Sequence, residues 1–315
     1  MLAPNERADF ALVQGIAIGD LVASGSLEYV QSGGVTSGSE ITVGGTEVVS
    51  GGGTARGDFV LPGGKIDIKS GGIAYSTSVE SGFEIVEAGA AASNSIIGYG
   101  AYAVIQDGGS DKFARIWNGG VERVESGGAV LFATVSRGGD LIVSSGGIVR
   151  GGLTLAGGVA DIAGRVASGA VVSFVSGGGD LALEDPTAFA GVIAGLALSS
   201  QKIDLGGFVY GSAETVSWTQ FQGGLSGTLT VTDGAALAHL TLTGAYATSN
   251  FVLSDDGHGG TFVADPRVAD GRAVVGLAQA MALFATGTDL AIDGVASAST
   301  ASAALSDHVG LALGR

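Results

Sequence analysis

The chain has 315 residues, of which 58 are glycine, 4 are proline and none is cysteine, while 46% are hydrophobic. Glycine far above its usual ~7% beside so much apolar content excludes a disordered linker, the lack of a Gly-every-third period excludes collagen, and the missing cysteines exclude a disulfide scaffold. The net charge of −16 disfavours nucleic acid and anionic lipid as partners, and glycine or charge interrupts nearly every apolar run before ~18 residues, so no transmembrane segment is expected.

Residues 1–20 read as an N-terminal cap. The opening MLAPNERADFALVQG carries Glu6 and Asp9 and lacks a basic start followed by an uninterrupted apolar core. It does not read as a secretory signal, so the expectation is a route without a cleaved N-terminal signal.

Residues 21–180 are periodic. Doublet glycines begin at Gly33, Gly52 and Gly71, then at Gly108, Gly127 and Gly146, 19 apart within each set. Two β-branched columns keep the same beat. One is Val22, Ile41, Val60, Val79, Ile97, Ile116 and Val135; the other is Val30, Val49, Ile68, Val86, Ile105, Val124, Val143 and Ile162. The columns stand 8 apart, except for Val79 to Val86, 7 apart, where the doublet shrinks to the single Gly82.

A 19-residue unit cannot bury two such columns alone, but stacked units turn each into a ladder through a continuous core. The predicted fold is therefore all-β: a parallel β-solenoid of 19-residue coils with glycines at the corners. Parallel crossovers favour the right hand, and eight coils at ~4.8 Å give a rod roughly 40 Å long. Segments such as TEVVS, KIDIKS and VERVES form one wall, and DFVLP, FARIWN and FATVSR form another. A third wall is not resolved by the pattern. Alternation places Glu28, Glu47, Glu84 and Glu122 on the same face as the second column. Unpaired glutamates are costly to bury, so a bend or bulge turning them to solvent is expected.

After Gly177 the beat fails. Residues 181–265 alternate in GTLTVTDG and AHLTLTG and regain aromatics, which predicts a C-terminal β cap covering the final strand edge. Residues 266–315 read as a short helix over 267–285 followed by an Ala/Ser-rich tail, a candidate secretion signal.

The segments GGTEVVSGG, GGKIDIKSGG, GGVERVESGG and GGDLIVSSGG resemble the strand-loop-strand repeat of autotransporter passengers of the self-associating adhesin type. The resemblance covers about residues 20–180. KIDLGGFVY, GTLTVTDG, LTLTGAY and NFVLSDDGHGGT are similar to a module that often follows such repeats in large secreted bacterial proteins. The family implies a right-handed β-helix at or outside the cell surface. Some members carry heptoses on repeat Ser and Thr. The matching positions are Ser32, Ser70, Ser126 and Ser145, each just before a doublet glycine, with plain polar turn residues as the alternative. The chain departs from the family because nothing after Pro266 resembles the alternating strands of a membrane barrel.

No catalytic constellation emerges. His239, His258 and His308 lack metal-ligand spacing, and no cysteine supplements them. Asp58, Asp67, Lys65 and Lys69, and a second group of Lys112, Arg115, Arg123 and Arg137, read as a solvated face of scattered charges. The Asp255–Gly260 turn with Asp265 offers oxygen ligands for calcium, with an ordinary Asp-Gly turn as the alternative. No other cofactor is implied. The expected function is structural or adhesive, not enzymatic: a secreted or cell-surface rod mediating attachment, self-association or matrix assembly. Its partners would be itself or a cell-surface or matrix polysaccharide. The alternative is a polysaccharide-binding or polysaccharide-cleaving β-helix.

Overall fold

The computed structural model describes residues 10–265, apart from Ser176 and Ser212. The helix expected at 267–285 and the tail lie outside the described residues.

Each coil contributes three short strands. In one coil they are Leu27–Val30, Val35–Ser37 and Glu40–Ile41; in the next, Thr46–Val49, Thr54–Arg56 and Phe59–Val60. Each strand lies parallel to its equivalent one coil on, Leu27 opposite Thr46 and Val30 opposite Val49. The four-residue strands form a first wall, which runs through a 13-stranded sheet. The three-residue strands form a second wall. The two-residue strands form the third wall, which the periodicity leaves unresolved and which carries the column Val22, Ile41, Val60, Val79, Ile97 and Ile116. The result is a parallel β-solenoid of about 10 turns.

Both aliphatic columns lie inside, with Val22, Val30, Ile41, Val49, Ile68 and Val124 all at 0% exposure. Each such side chain contributes about 1.5–3 kcal/mol of burial. The missing glycine at Gly82 is absorbed entirely by the turn. Lys65 pairs with Thr46 on one side and Phe83 on the other, offsets of 19 and 18, and no strand slips. Between the second and third walls the chain turns through one left-handed residue per coil: Gly19, Gly38, Gly57, Ser76, Asn94, Phe113, Phe132 and Gly151.

The outward turn expected for the glutamates does not occur. Glu28, Glu47, Glu84 and Glu122 face the interior at 0% exposure. Thr46–Val49 pairs residue for residue with both neighbours, so there is no bulge. Asp58, expected on a solvated face, is likewise sealed inside, and Asp67 is buried on the outer side of the first wall beneath Lys65 and Lys69. The reason is collective. Asp20, Thr36, Ser39, Asp58, Ser95 and Asp111 are also buried, giving the interior of the first coils a polar side opposite its aliphatic side. Further along, Leu141, Ala160, Leu181 and Ile203 occupy the glutamate position, and the interior there is aliphatic.

The parallel ladder of the first wall continues past residue 180 through Gly179–Leu183 to Gln201–Leu205. Two antiparallel additions follow. Thr261–Ala264 pairs with Gln201–Leu205 and then with Val252–Asp255. On the other sheet Ala236–Thr243 lies parallel to Val192–Ala194 and continues a meander with Ser226–Asp233 and Thr215–Gln220. Trp218, Tyr246 and Phe251 pack together with ring centroids 5.1–5.7 Å apart, and the Tyr246 hydroxyl donates to the Leu196 carbonyl at 2.9 Å.

Candidate functional site

Parallel in-register stacking converts each outward position into a row along the rod. On the first wall one row runs Phe83, Tyr102, Val121, Asp140, Val159, and the next runs Ile85, Val104, Arg123, Ile142, Asp161. Phe83 is 49% exposed. Within these rows Phe83, Ile85, Tyr102, Val104 and Val121 form an apolar cluster outside the closed core, while Arg123, Asp140 and Asp161 interrupt the rows further along. The apolar cluster is flanked by an ionic one in which Lys65 and Lys69 reach Asp67 at 2.8 and 3.0 Å and Lys69 also reaches Glu87. Asp67 and Glu87 thereby hold the Lys69 ammonium above its usual range, Glu87 contributing most.

A second feature lies at the left-handed corner. Phe113 and Phe132 adopt φ of 64° and 57°, conformations that large side chains rarely take. They are 42% and 40% exposed, and their rings stack at 5.4 Å. Lys112 lies 4.8 Å from the Phe113 centroid. The edge of the Phe132 ring lies 2.5–2.8 Å from where a Cβ on Gly151 would project, so a side chain at that corner of the next coil would displace the ring.

Ser32, Ser70, Ser126 and Ser145 all sit exposed in the turn that follows the first wall. They form one corner of the rod, with Ser32 and Ser126 each directly over a doublet glycine of the next coil, Gly52 and Gly146. Ser126 and Ser145 are on adjacent coils, about 4.8 Å apart along the axis. The other expected basic group is dispersed. Lys112, Arg115 and Arg123 lie on the second, third and first walls respectively, and Arg137 lies in a turn.

The Asp255–Gly260 turn is built by its own carboxylates. Asp255 Oδ1 accepts from the Gly257 amide, and Asp256 Oδ1 accepts from the His258 and Gly260 amides at 2.6 and 2.7 Å. Those donors hold Asp256 below the usual carboxylate range. The turn borders a recess of about 280 Å³ lined by Glu184, Asp204, Phe208, Asp256 and His258. Burial and the neighbouring Asp256, Glu184 and Asp180 push Asp204 up to about 6. Among the described residues no group of three or more His, Asp or Glu side chains is arranged to hold a metal ion.

The interior carboxyls form two sets. In the first, Glu28 is pushed up to about 8 by burial and the Asp20 and Asp58 charges, and Glu47 is raised well above its usual range by burial, Asp58 and Glu28. Burial also pushes Asp58 up to about 6, against the hydrogen bonds it accepts from the Ser39 amide and Thr36. In the second, burial pushes Asp111 up to about 7, and burial with mutual repulsion raises Glu84 and Glu122. Only the aliphatic ladder, not this acid interior, was expected from the sequence. Its signal was the shared parity of the four glutamates with the second column.

The fold defines a parallel β-solenoid protein with an antiparallel β cap, and no helix among the described residues is long and apolar enough to cross a membrane. No family model matches the sequence, and no curated protein matches it. Among solved structures, the crystal structure of a TibC-catalysed hyper-glycosylated TibA55-350 fragment is similar at 25% identity, covering 61% of this chain and 78% of that chain with a TM-score of 0.40. That superposition is loose, and the fold assignment rests on the ladder of this chain itself.

Proposed function

We propose that this chain is a secreted or cell-surface bacterial rod that associates with further copies of itself through the outer face of its first wall. The supporting observation is the outward cluster of Phe83, Ile85, Tyr102, Val104 and Val121, spread over three coils on the outside of an already closed core. The reading includes no enzymatic step. Asp58 and Asp111, two of the carboxylates with raised affinity for protons, are sealed inside and cannot reach a substrate, and Asp204 lines the recess beside Asp256 and His258.

Two variants carrying Phe83→Glu and Val104→Glu on outward positions test the reading. The parent protein is expected to gain mass with concentration in sedimentation experiments and to clump cells that display it. The variants are expected to remain monomeric with an unchanged circular dichroism spectrum. A parent that stays monomeric at every concentration and binds no cell surface refutes the proposal.

Polysaccharide binding is the second reading, favoured by the stacked, exposed Phe113 and Phe132, whose strained backbone has no evident packing purpose. Loss of glycan-array binding in Phe132→Ser would support it, and unchanged binding would remove it. Glycosylation of Ser32, Ser70, Ser126 and Ser145 fits their exposure on one corner. Intact mass of protein from the native host, compared with a four-serine alanine variant, decides it.

A further inference from the structure

The interior acids are geometrically incompatible with full ionisation. Thr36 Oγ1 lies 2.6 Å from Glu47 Oε1 and 3.0 Å from Asp58 Oδ2. A hydroxyl has one hydrogen, so it can donate to only one of these oxygens. The other contact requires a carboxylic acid that donates to the hydroxyl. No donor satisfies either oxygen of Glu122 or Glu84 Oε2, and Ser39 beside Glu28 and Ser95 and the Lys112 amide beside Asp111 fall short of good hydrogen-bond geometry, all of these acids being at 0% exposure. No Lys, Arg or His pairs with any of these acids among the described residues. The groups that face them are other acids, hydroxyls and, for Asp58 and Asp111, backbone amides: Asp20, Thr36 and Ser39 around Glu28, Glu47 and Asp58, and Ser95 around Glu84, Asp111 and Glu122. An isolated buried carboxylate is prohibitively costly, and a buried neutral acid much less so.

We propose that the part of the solenoid from Phe10 to Val124 folds by taking up protons onto its interior carboxyls, so that this part of the rod is held shut by acid and released by base. The coils from Asp140 onward depend on pH much less, because Leu141, Ala160, Leu181 and Ile203 replace the glutamates and the acids raised there, Asp161, Asp180 and Asp204, are partly exposed. The direction follows from linkage. The unfolded carboxyls titrate near ~4, and the folded ones near 6 for Asp58, 7 for Asp111 and 8 for Glu28. The folded state therefore holds more protons, and its stability is greatest below the unfolded value and lost as pH rises through the folded ones. Each retained proton raises the unfolding constant about tenfold per pH unit. Two retained protons already give about a hundredfold. The inference does not depend on the adhesive reading.

Hydrogen exchange of the full chain, followed from pH 5.5 to 9 and corrected for intrinsic exchange, tests this. Strands between residues 27 and 124 are expected to lose protection steeply, by a hundredfold or more per pH unit once exchange follows unfolding, while strands between 140 and 205 lose about tenfold or less. The triple variant Glu47→Gln, Glu84→Gln, Glu122→Gln carries neutral isosteres and is expected to lose protection with a shallower pH slope than the parent, the remainder coming from Glu28, Asp58 and Asp111. Equal and pH-independent protection in both halves overturns the proposal. So does a triple variant with an undiminished pH slope, or calcium protecting the first half at pH 8, which would mean that the acids hold a cation instead of protons. Should the triple variant fail to fold, uptake of fewer than two protons by the parent on refolding at pH 7 overturns it as well.

Discussion

Gly57 and Gly64 stand seven positions apart and are glycine for different reasons. Gly57 adopts φ of 63° with open space where a Cβ would project, so only its backbone conformation resists substitution. The equivalent corner positions hold Ser76, Asn94, Phe113 and Phe132, which shows that the fold tolerates this cost repeatedly. A Cβ on Gly64 would lie 2.2 Å from the Ile41 carbonyl oxygen of the preceding coil, and a stacked backbone cannot retreat. Gly57→Ala is therefore expected to cost about 1 kcal/mol, and Gly64→Ala about 3 kcal/mol or more. Denaturant midpoints measured at constant m-value check the order, and equal losses would contradict the assignment.

A solenoid strand has little freedom of register, whereas a solenoid turn has much. The first-wall strand Lys65–Ile68 alternates between outward Lys65 and Asp67 and inward Ile66 and Ile68. One residue inserted between Ile66 and Asp67 would drive a carboxylate into the core and Ile68 out of it. The turn at Gly82 already lacks one residue of the usual doublet and keeps every pairing on both sides. Inserting a glycine next to Gly82 is expected to cost less than about 1 kcal/mol, while the strand insertion is expected to abolish cooperative unfolding. Thermal melts of the two variants distinguish a turn that absorbs length from one that sets the register. The repeat, the aliphatic columns and the deletion were all legible in the sequence because each depends on local spacing alone. The third wall was not, because a two-residue strand carries no alternation to detect.

The whole molecule is a stack whose end is covered by its cap, and the cap is joined to both sheets. Burial, together with the Asp265 carboxylate, raises the affinity of the Tyr246 phenol for its proton, keeping it a donor to the Leu196 carbonyl. Tyr246→Phe removes that donor and is expected to destabilise the cap by about 1–3 kcal/mol, the cost of an unsatisfied carbonyl. Trp218, whose ring lies 5.1 Å from that of Tyr246, reports the change through its fluorescence during unfolding. A superimposable Trp218 transition in the variant would show that the hydrogen bond does not anchor the cap. At the same scale the rod is heterogeneous: its walls repeat, but its interior changes from acid-lined to aliphatic at Leu141.

The amino-acid order by itself determined that this chain stacks, which residues form the two aliphatic ladders, where the corners marked by doublet glycines fall and which serines precede them. Each follows from a period, and a period is a property of one dimension. It also placed Glu28, Glu47, Glu84 and Glu122 on the inner face by parity, but the cost of burying charge argued for turning them out. Only the tertiary structure decided the matter. It brings Thr36 within reach of Glu47 and Asp58, residues 11 and 22 positions away, and surrounds each acid with others that keep it neutral. Whether a buried carboxyl is charged depends on its neighbours in space, and the sequence orders them only along the chain.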